Sequence, residues 1–434
     1  MIRNHRDALT WPDGFLGGIH AFEGIEDAAT ILNAPTGCKL FPARTIELQY
    51  PREFDFEEMR YAEEFFFGQA RLPCTYLDDY DYVFGSSQKL EYVFGRVADK
   101  GYRLVGVLNS PGAALIGDDL DRYLQWSGIT IPAVVIDKPD FSLPYDVGWA
   151  NAVQRTLEVI APAPMPVDEH CVNLVGLSIW NKSWDGSIID LEELLRRCGI
   201  NVHTVLCAGA TVEQLRSLRR ARCNVVLHDE LGSRLGAWMQ QQYGMPWVRS
   251  PEGAPFGFDA TEHWLKLVCE AVGVDSAPGV ELINRRRDQA CRKLMEFSLE
   301  TGLPRGASFG VCLDASLALP AVKWMHAYLG MVPAVVQVPD ESQPLAEALR
   351  EYLAANGMQD AWNAELDGAN PPQAVISNDA IVRRVMVDGK LAAGVAVAMP
   401  DTETTEFVQR SVLGTVGPLW VLERLAAGLW TLVE

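Results

Sequence analysis

The chain has 434 residues, 48% hydrophobic and 22% charged, which suits two or three domains with buried cores and excludes a disordered or low-complexity protein. Its 57 acidic against 37 basic side chains give a formal charge of −20, a surface that repels phosphate backbones and anionic lipid, so neither nucleic acid nor a membrane is an expected partner. No apolar run approaches the roughly 18 to 20 residues that span a bilayer, and Met1–Asp7 leads into no apolar leader segment, so a cytoplasmic protein is expected.

Taken in chain order, short β-rich runs alternate with amphipathic helical stretches. Asp81–Phe84 reads as a strand and 86–99 as a helix; Arg103–Leu108 as a strand, 113–126 as a helix, and Ile131–Ile136 as a strand. A helix over 146–161 then runs into Ala161-Pro162-Ala163-Pro164-Met165-Pro166, where three prolines remove amide donors and fix φ, as in a linker. The rhythm restarts with strand Val172–Ile179, a helix through Leu191–Arg197, strand Val202–Leu206, helix 211–221, strand Asn224–Leu227 and helix 232–242. Helices over 261–272 and 281–300 follow, with Arg285-Arg286-Arg287 on a solvated turn. A third series holds strand Ser308–Leu313, helix 316–329, strand Pro333–Val338, helix 343–355, strands Ala374–Ser377 and Val395–Met399, and a last helix near 417–432. Strands alternating with crossover helices predict an α/β fold of three Rossmann-like, doubly wound parallel-sheet domains, 1–165, 166–278 and 279–434.

The sequence lacks GxxxxGK[ST], a GxGxxG after a strand, HExxH and GxSxG, so the clefts carry no standard nucleotide, zincin or hydrolase signature. Its nine cysteines are odd in number, irregularly spaced and without a CxxC pair, which argues against a disulfide framework or a zinc ribbon. Two lie just after turn-forming residues. Cys38 ends Asn33-Ala34-Pro35-Thr36-Gly37-Cys38, with Lys39 and Arg44 close by to favour thiolate. Cys74 follows Pro73 in a second loop. On cysteine chemistry alone both also read as packed loop thiols. The remaining seven, Cys171, Cys198, Cys207, Cys223, Cys269, Cys291 and Cys312, read as core.

Several segments resemble nitrogenase component 1 subunits. Asn33–Cys38 resembles that family's first cluster-cysteine loop, and Asp81-Tyr82-Val83-Phe84-Gly85-Ser86 the segment shortly after its second cluster cysteine. Ser110-Pro111-Gly112-Ala113-Ala114-Leu115-Ile116-Gly117-Asp118-Asp119 resembles the third, while Tyr243-Gly244-Met245-Pro246 and Gly257-Phe258-Asp259-Ala260-Thr261 look like pieces of the middle domain. The resemblance implies that Cys38 and Cys74 ligate an Fe–S cluster, of 4Fe–4S or P-cluster-like kind, shared across an interface with a related α-type subunit in a heterotetramer. It also implies electrons supplied by a separate ATP-hydrolysing iron protein, in keeping with the missing P-loop.

This chain departs from the family pattern in three places. Pro111 stands where the third cluster cysteine falls, leaving Ser110 as a substitute ligand or a helix cap. Cys74 is slightly displaced, which brings Asp78 and Asp79 into view as carboxylate ligands or a solvated acidic loop. His228, at the end of strand Asn224–Leu227, aligns with the cysteine that anchors the catalytic cofactor in α subunits; it reads as a catalytic candidate or a capped strand-end histidine. His20 reads as a loop histidine near the first cysteine. The pattern implies a β-type subunit of a nitrogenase-like reductase, of the methylthio-alkane reductase kind. Alternatives are a cofactor-assembly scaffold, a self-paired homodimeric reductase of the coenzyme F430 kind and, on fold alone, a GT-B-like glycosyltransferase.

Overall fold

The computed structural model describes residues 12–50, 71–98, 100–368, 371–387, 391–400 and 406–433. Residues 1–11, over which the absence of a leader was read, lie outside them. Eleven strands among the described residues form three sheets, and every paired neighbour is parallel. The first holds β1 (Ala28–Asn33), β2 (Leu104–Asn109) and β3 (Ala133–Ile136) in the order β1-β2-β3. The second holds β4 (Asp168–Val175), β5 (Asn201–Val205), β6 (Ala221–Val226) and β7 (Trp247–Val248) in the order β5-β4-β6-β7. The third holds β8 (Ser308–Cys312), β9 (Val332–Gln337), β10 (Ala374–Asn378) and β11 (Ala393–Ala398) in the order β9-β8-β10-β11.

The second and third sheets share one doubly wound order, with the first strand of each lying between the second and third. The first sheet completes the same order through a single parallel bridge, Leu32 to Cys74, on the free edge of β1. Cys74 therefore occupies the place of that sheet's second strand. These strands are buried on both faces, so they read as apolar runs without alternation: β1 and β2 are buried throughout. The molecule is an α/β protein of Rossmann-like parallel sheets, as the rhythm of the sequence predicted.

Three local expectations are corrected and one helix is added. Asp81–Phe84 lies on a helix, Asp79–Phe84, and not a strand: Asp78 accepts from the amides of Tyr80 and Asp81 while Asp81 reaches back to the Asp78 amide, a reciprocal cap that outweighs the β-propensity of Tyr-Val-Phe. The helix predicted over 113–126 is broken into a short turn, Ala113–Leu115, and a helix, Leu120–Trp126. Gly117 has φ +79°, and Asp119 caps the new helix through the Arg122 amide. Asp379–Val387, which carried no assignment, is a helix after β10. Finally, residues around His20 form a helix, Gly14–Glu23, and not a loop.

That helix crosses the helix Tyr145–Ile160 at contact distance. A methyl group on Gly17 would lie 2.2 Å from the Tyr145 carbonyl, and one on Gly148 would lie 2.0 Å from the Gly14 carbonyl. Only glycine fits at either crossing point, and the close approach fixes Tyr145 against His20. No helix of the described residues is long and apolar enough to cross a membrane.

Candidate functional site

The carboxyl end of β1 organises the site through one buried residue, Asn33. Its Nδ2 donates to Asn109 Oδ1 at 2.9 Å, while its Oδ1 accepts from Thr75 Oγ1 at 2.9 Å and Ser86 Oγ at 3.2 Å. The Asn33 carbonyl accepts the Ser110 amide at 2.9 Å. One asparagine thus ties together the segments that carry Cys38, Cys74 and Ser110. The Cys74 segment is stitched to β1 by the Leu32 amide on Pro73 O (2.8 Å), the Thr75 amide on Leu32 O (3.0 Å) and the Leu77 amide on Ala34 O (3.0 Å).

Cys38 sits in the first turn of the helix Thr36–Gln49, not at the tip of a loop. Pro35 at the cap offers no side-chain oxygen, so no side chain caps the first turn, where the Cys38 amide donates to the Pro35 carbonyl at 3.1 Å; a helix start of this kind favours negative charge. Cys38 is half-buried and Cys74 is buried. The Cys74 thiol donates to Ala34 O at 3.1 Å, and its sulfur accepts the Tyr76 amide at 3.5 Å. The two thiols are near enough to act on one another electrostatically. Burial pushes Cys74 up to about 11, partly opposed by the Tyr76 amide and the Lys39 ammonium, with Cys38 raising it further. Burial and Asp13 raise Cys38 as well. The expected lowering by nearby cations is therefore overridden by desolvation. Arg44 is exposed, whereas Lys39 is buried, donates to Tyr76 Oη at 3.1 Å and is drawn down to about 8 chiefly by burial.

The weaker candidates fall outside this thiol pair. Ser110 Oγ accepts the Ala113 amide at 3.2 Å and caps the short turn that Pro111 opens. Asp78 is exposed, caps its helix and pairs with Lys89 at 2.9 Å, which lowers its carboxyl below the usual range. His228 is buried and precedes the helix Asp229–Tyr243; its Nδ1 lies 3.4 Å from Ser316 Oγ, and burial lowers it to about 4. It belongs to a separate cavity, not to the cysteine pair. His20 is buried with Nδ1 3.1 Å from Tyr145 Oη and its ring edge against Trp180 (4.6 Å between centroids); burial lowers it to about 3. Among the other cysteines, Cys291 is exposed beside Tyr328 Oη at 3.0 Å, against the expectation of a core position. No group of three or more His, Cys, Asp or Glu among the described residues is arranged to hold a metal ion.

His20 gives a test of this region. The unfolded imidazole binds a proton near pH 6.5, whereas the folded one resists until about pH 3. Its contribution to stability is present above pH 6.5 and is lost as the pH falls towards 3. The stability advantage of wild type over His20→Gln should narrow across that window by about 5 kcal/mol, read from urea midpoints at successive pH values. A constant difference would show that the folded histidine takes up its proton as readily as the unfolded one.

Sequence reasoning missed Arg71 and Glu23. Arg71 donates to Glu23 Oε2 through Nε at 2.9 Å and Nη2 at 2.6 Å, and through Nη1 to the Tyr50 carbonyl, with both partners buried. This ion pair anchors the start of the Cys74 segment to the helix Gly14–Glu23. A lone Arg next to Leu-Pro gives no sequence signal of burial.

Apolar side chains are exposed on the helix that carries Cys38 and on the segments around Tyr82 and Leu115. Phe41, Tyr80, Val83, Phe84 and Leu115 are exposed, with Val83 at 72% and Leu115 at 88%. Tyr82 is close enough to Cys38 for the thiol to raise its phenol, a smaller effect than burial. Exposed aromatic and aliphatic groups of this size are what an interaction surface offers.

Three parallel sheets of one winding order in a single chain, with paired thiols after the first strand, place the molecule among tandem doubly wound α/β proteins. The chain matches the nitrogenase component 1 type oxidoreductase family over residues 14–385 and belongs to that family. It is 28% identical over 260 residues to the B subunit of light-independent protochlorophyllide reductase from Synechococcus sp. (strain CC9605), covering 57% of this chain and 48% of that protein. It is 24% identical over 338 residues to the protein of that name from Prosthecochloris aestuarii, covering 71% of this chain and 56% of that one. The chain thus spans about half the length of the curated relatives it matches. Among solved structures, nitrogenase Cp1 at pH 6.5 superposes with a TM-score of 0.76 at 13% identity, covering 98% of this chain and 93% of that one. At that identity the likeness is one of fold.

Proposed function

We propose that this chain is the β-type subunit of a nitrogenase-like reductase, and that Cys38 and Cys74 hold one half of an Fe–S cluster where it meets a related α-type subunit. The observation that carries the reading is the thiol pair at the end of β1, one thiol half-exposed, with exposed Phe41 one turn along the same helix. The donor set suits half a cluster. Iron prefers thiolate; the uncapped helix start and the buried Lys39 supply positive potential; and two thiols from one side leave the rest of the coordination to a partner. When bound, such a cluster relays single electrons, here from an ATP-hydrolysing iron protein. The chain's own residues fix the spacing of the thiols through Asn33 and exclude water from Cys74. That the relatives are named as reductase subunits, and as the B subunit in particular, favours a heteromeric reductase over an assembly scaffold or a self-paired dimer.

Co-expression with a related subunit and oxygen-free purification test the reading. Iron and acid-labile sulfide should accompany the complex and be lost when its subunits are separated; a well-folded complex free of iron would overturn it.

Thiol chemistry gives a second check. In metal-free protein Cys38 should be alkylated well before Cys74. The rate at Cys74 should rise about tenfold per pH unit between pH 7 and 10, because its thiolate is scarce below about 11. Peptide mass spectrometry after timed iodoacetamide labelling reads both; equal rates would contradict the difference in burial.

A further inference from the structure

A second site lies away from the cysteines. A cavity of about 540 Å³ opens where the carboxyl ends of strands from all three sheets converge, the position at which parallel α/β sheets bind ligands. Tyr145 and Asp146 enter it after β3, His228 and Glu230 after β6, Asp314 after β8 and Asp340 after β9. We propose that this cavity binds a small organic cation, an ammonium head on an apolar body.

Three observations point to that ligand. The polar lining is one-sided: four carboxylates and an imidazole, with no Lys or Arg among the described lining residues. Two of these groups have side-chain atoms without a partner among the described residues, His228 in a buried position and Asp314 in a half-buried one. Asp314 precedes the helix Ala315–Lys323 yet its carboxylate caps nothing. His228 is 5% exposed, and Nδ1 is its only nitrogen with a partner, Ser316 Oγ, among the described residues. Its Nε2 remains to accept an N–H. By contrast Glu230 is held on the Ser316 amide at 2.9 Å and hydroxyl at 2.5 Å, which makes it a rigid wall.

Burial, then Glu230, Asp146 and Asp340, raise Asp314 well above the usual carboxylate range. Among the described residues, the cation that acts on this cluster is Arg234, and it acts on Asp146. An ammonium group would relieve the repulsion and restore ionisation, whereas an anion would add to it. Leu231 and Met399 line the remainder, giving room for a hydrocarbon body. The proposal stands on these residues alone and does not depend on Cys38 or Cys74. It also makes this cleft a poor seat for an anionic metal–sulfur cofactor.

Calorimetric titration of the full-length chain with benzylamine, benzyl alcohol and benzoate, which share a body and differ in charge, tests it. Benzylamine should give saturable heat, the alcohol weaker binding and benzoate none. Asp314→Asn should weaken benzylamine at least about tenfold, the loss of one charge-assisted hydrogen bond. Leu231→Trp, which fills the cavity, should abolish binding with circular dichroism unchanged; if that variant fails to fold, Asp314→Asn carries the test. Absence of saturable benzylamine binding, benzoate binding as tightly, an unchanged Asp314→Asn, or displacement of benzylamine by Mg2+ alone would each overturn the proposal.

Discussion

Replacing Cys38 by alanine is expected to reduce the iron of the anaerobically purified complex to a trace, and Cys74→Ala to do the same. If two thiolates attach the cluster on this side of the interface, removal of either leaves this chain a single attachment, and the cluster is no longer gripped between the subunits against solvent and chelators. Cys291→Ala, which alters an exposed cysteine on the helix Ala277–Thr301, should keep full iron content. Lys39→Met separates ligation from tuning. It leaves both thiols in place but deletes a buried positive charge that acts on Cys74. Adding an electron to the cluster then becomes less favourable, so the iron should stay while the midpoint potential moves negative; Lys39→Arg should restore most of it. Iron analysis with an electron-paramagnetic-resonance redox titration distinguishes the two outcomes. Full iron in Cys38→Ala would remove that residue from the ligand set.

The second large effect falls on stability. Arg71→Leu strips the guanidinium from a Glu23 carboxylate that is 3% exposed, and loss of one member of such a pair costs about 3–5 kcal/mol. Because Arg71 lies three residues before Cys74, the damage should extend to the site, with faster alkylation of Cys74 as well as an earlier urea midpoint. Glu23→Leu combined with Arg71→Leu should recover much of the stability, since no buried charge is then left alone. A double variant as unstable as the single one would mean that packing, not charge, holds this joint.

Much of the fold was legible because both sheet faces are covered. The strands β2, β8 and β10 appear in the sequence as short apolar runs between helical stretches, and their order follows from right-handed crossovers. The failures came where local hydrogen bonding beat composition. Asp79–Phe84 has the residues of a strand but the cap of a helix, set by Asp78 and Asp81. The helix Gly14–Glu23 was hidden by its glycines, of which Gly14 and Gly17 are there for contact with Tyr145–Ile160 and not for turning. At the candidate site, Cys38 and Cys74 could be picked out by their turns and their resemblance to a family. Asn33, which joins their segments, could not, because its partners Thr75, Ser86 and Asn109 lie 42, 53 and 76 residues away. The cavity was legible only at His228. Its carboxylates come from elements spread between Tyr145 and Gln343, and nothing in any one segment shows that strand ends from three sheets meet there.

Whether two thiols at the end of β1 grip iron between two subunits is tested most directly by anomalous diffraction, collected on either side of the iron absorption edge from oxygen-free crystals of the complex. The expected result is iron density within bonding distance of both Cys38 Sγ and Cys74 Sγ, continuous with ligands from the neighbouring chain. Packed side chains or water around those sulfurs, with no anomalous signal, would contradict it.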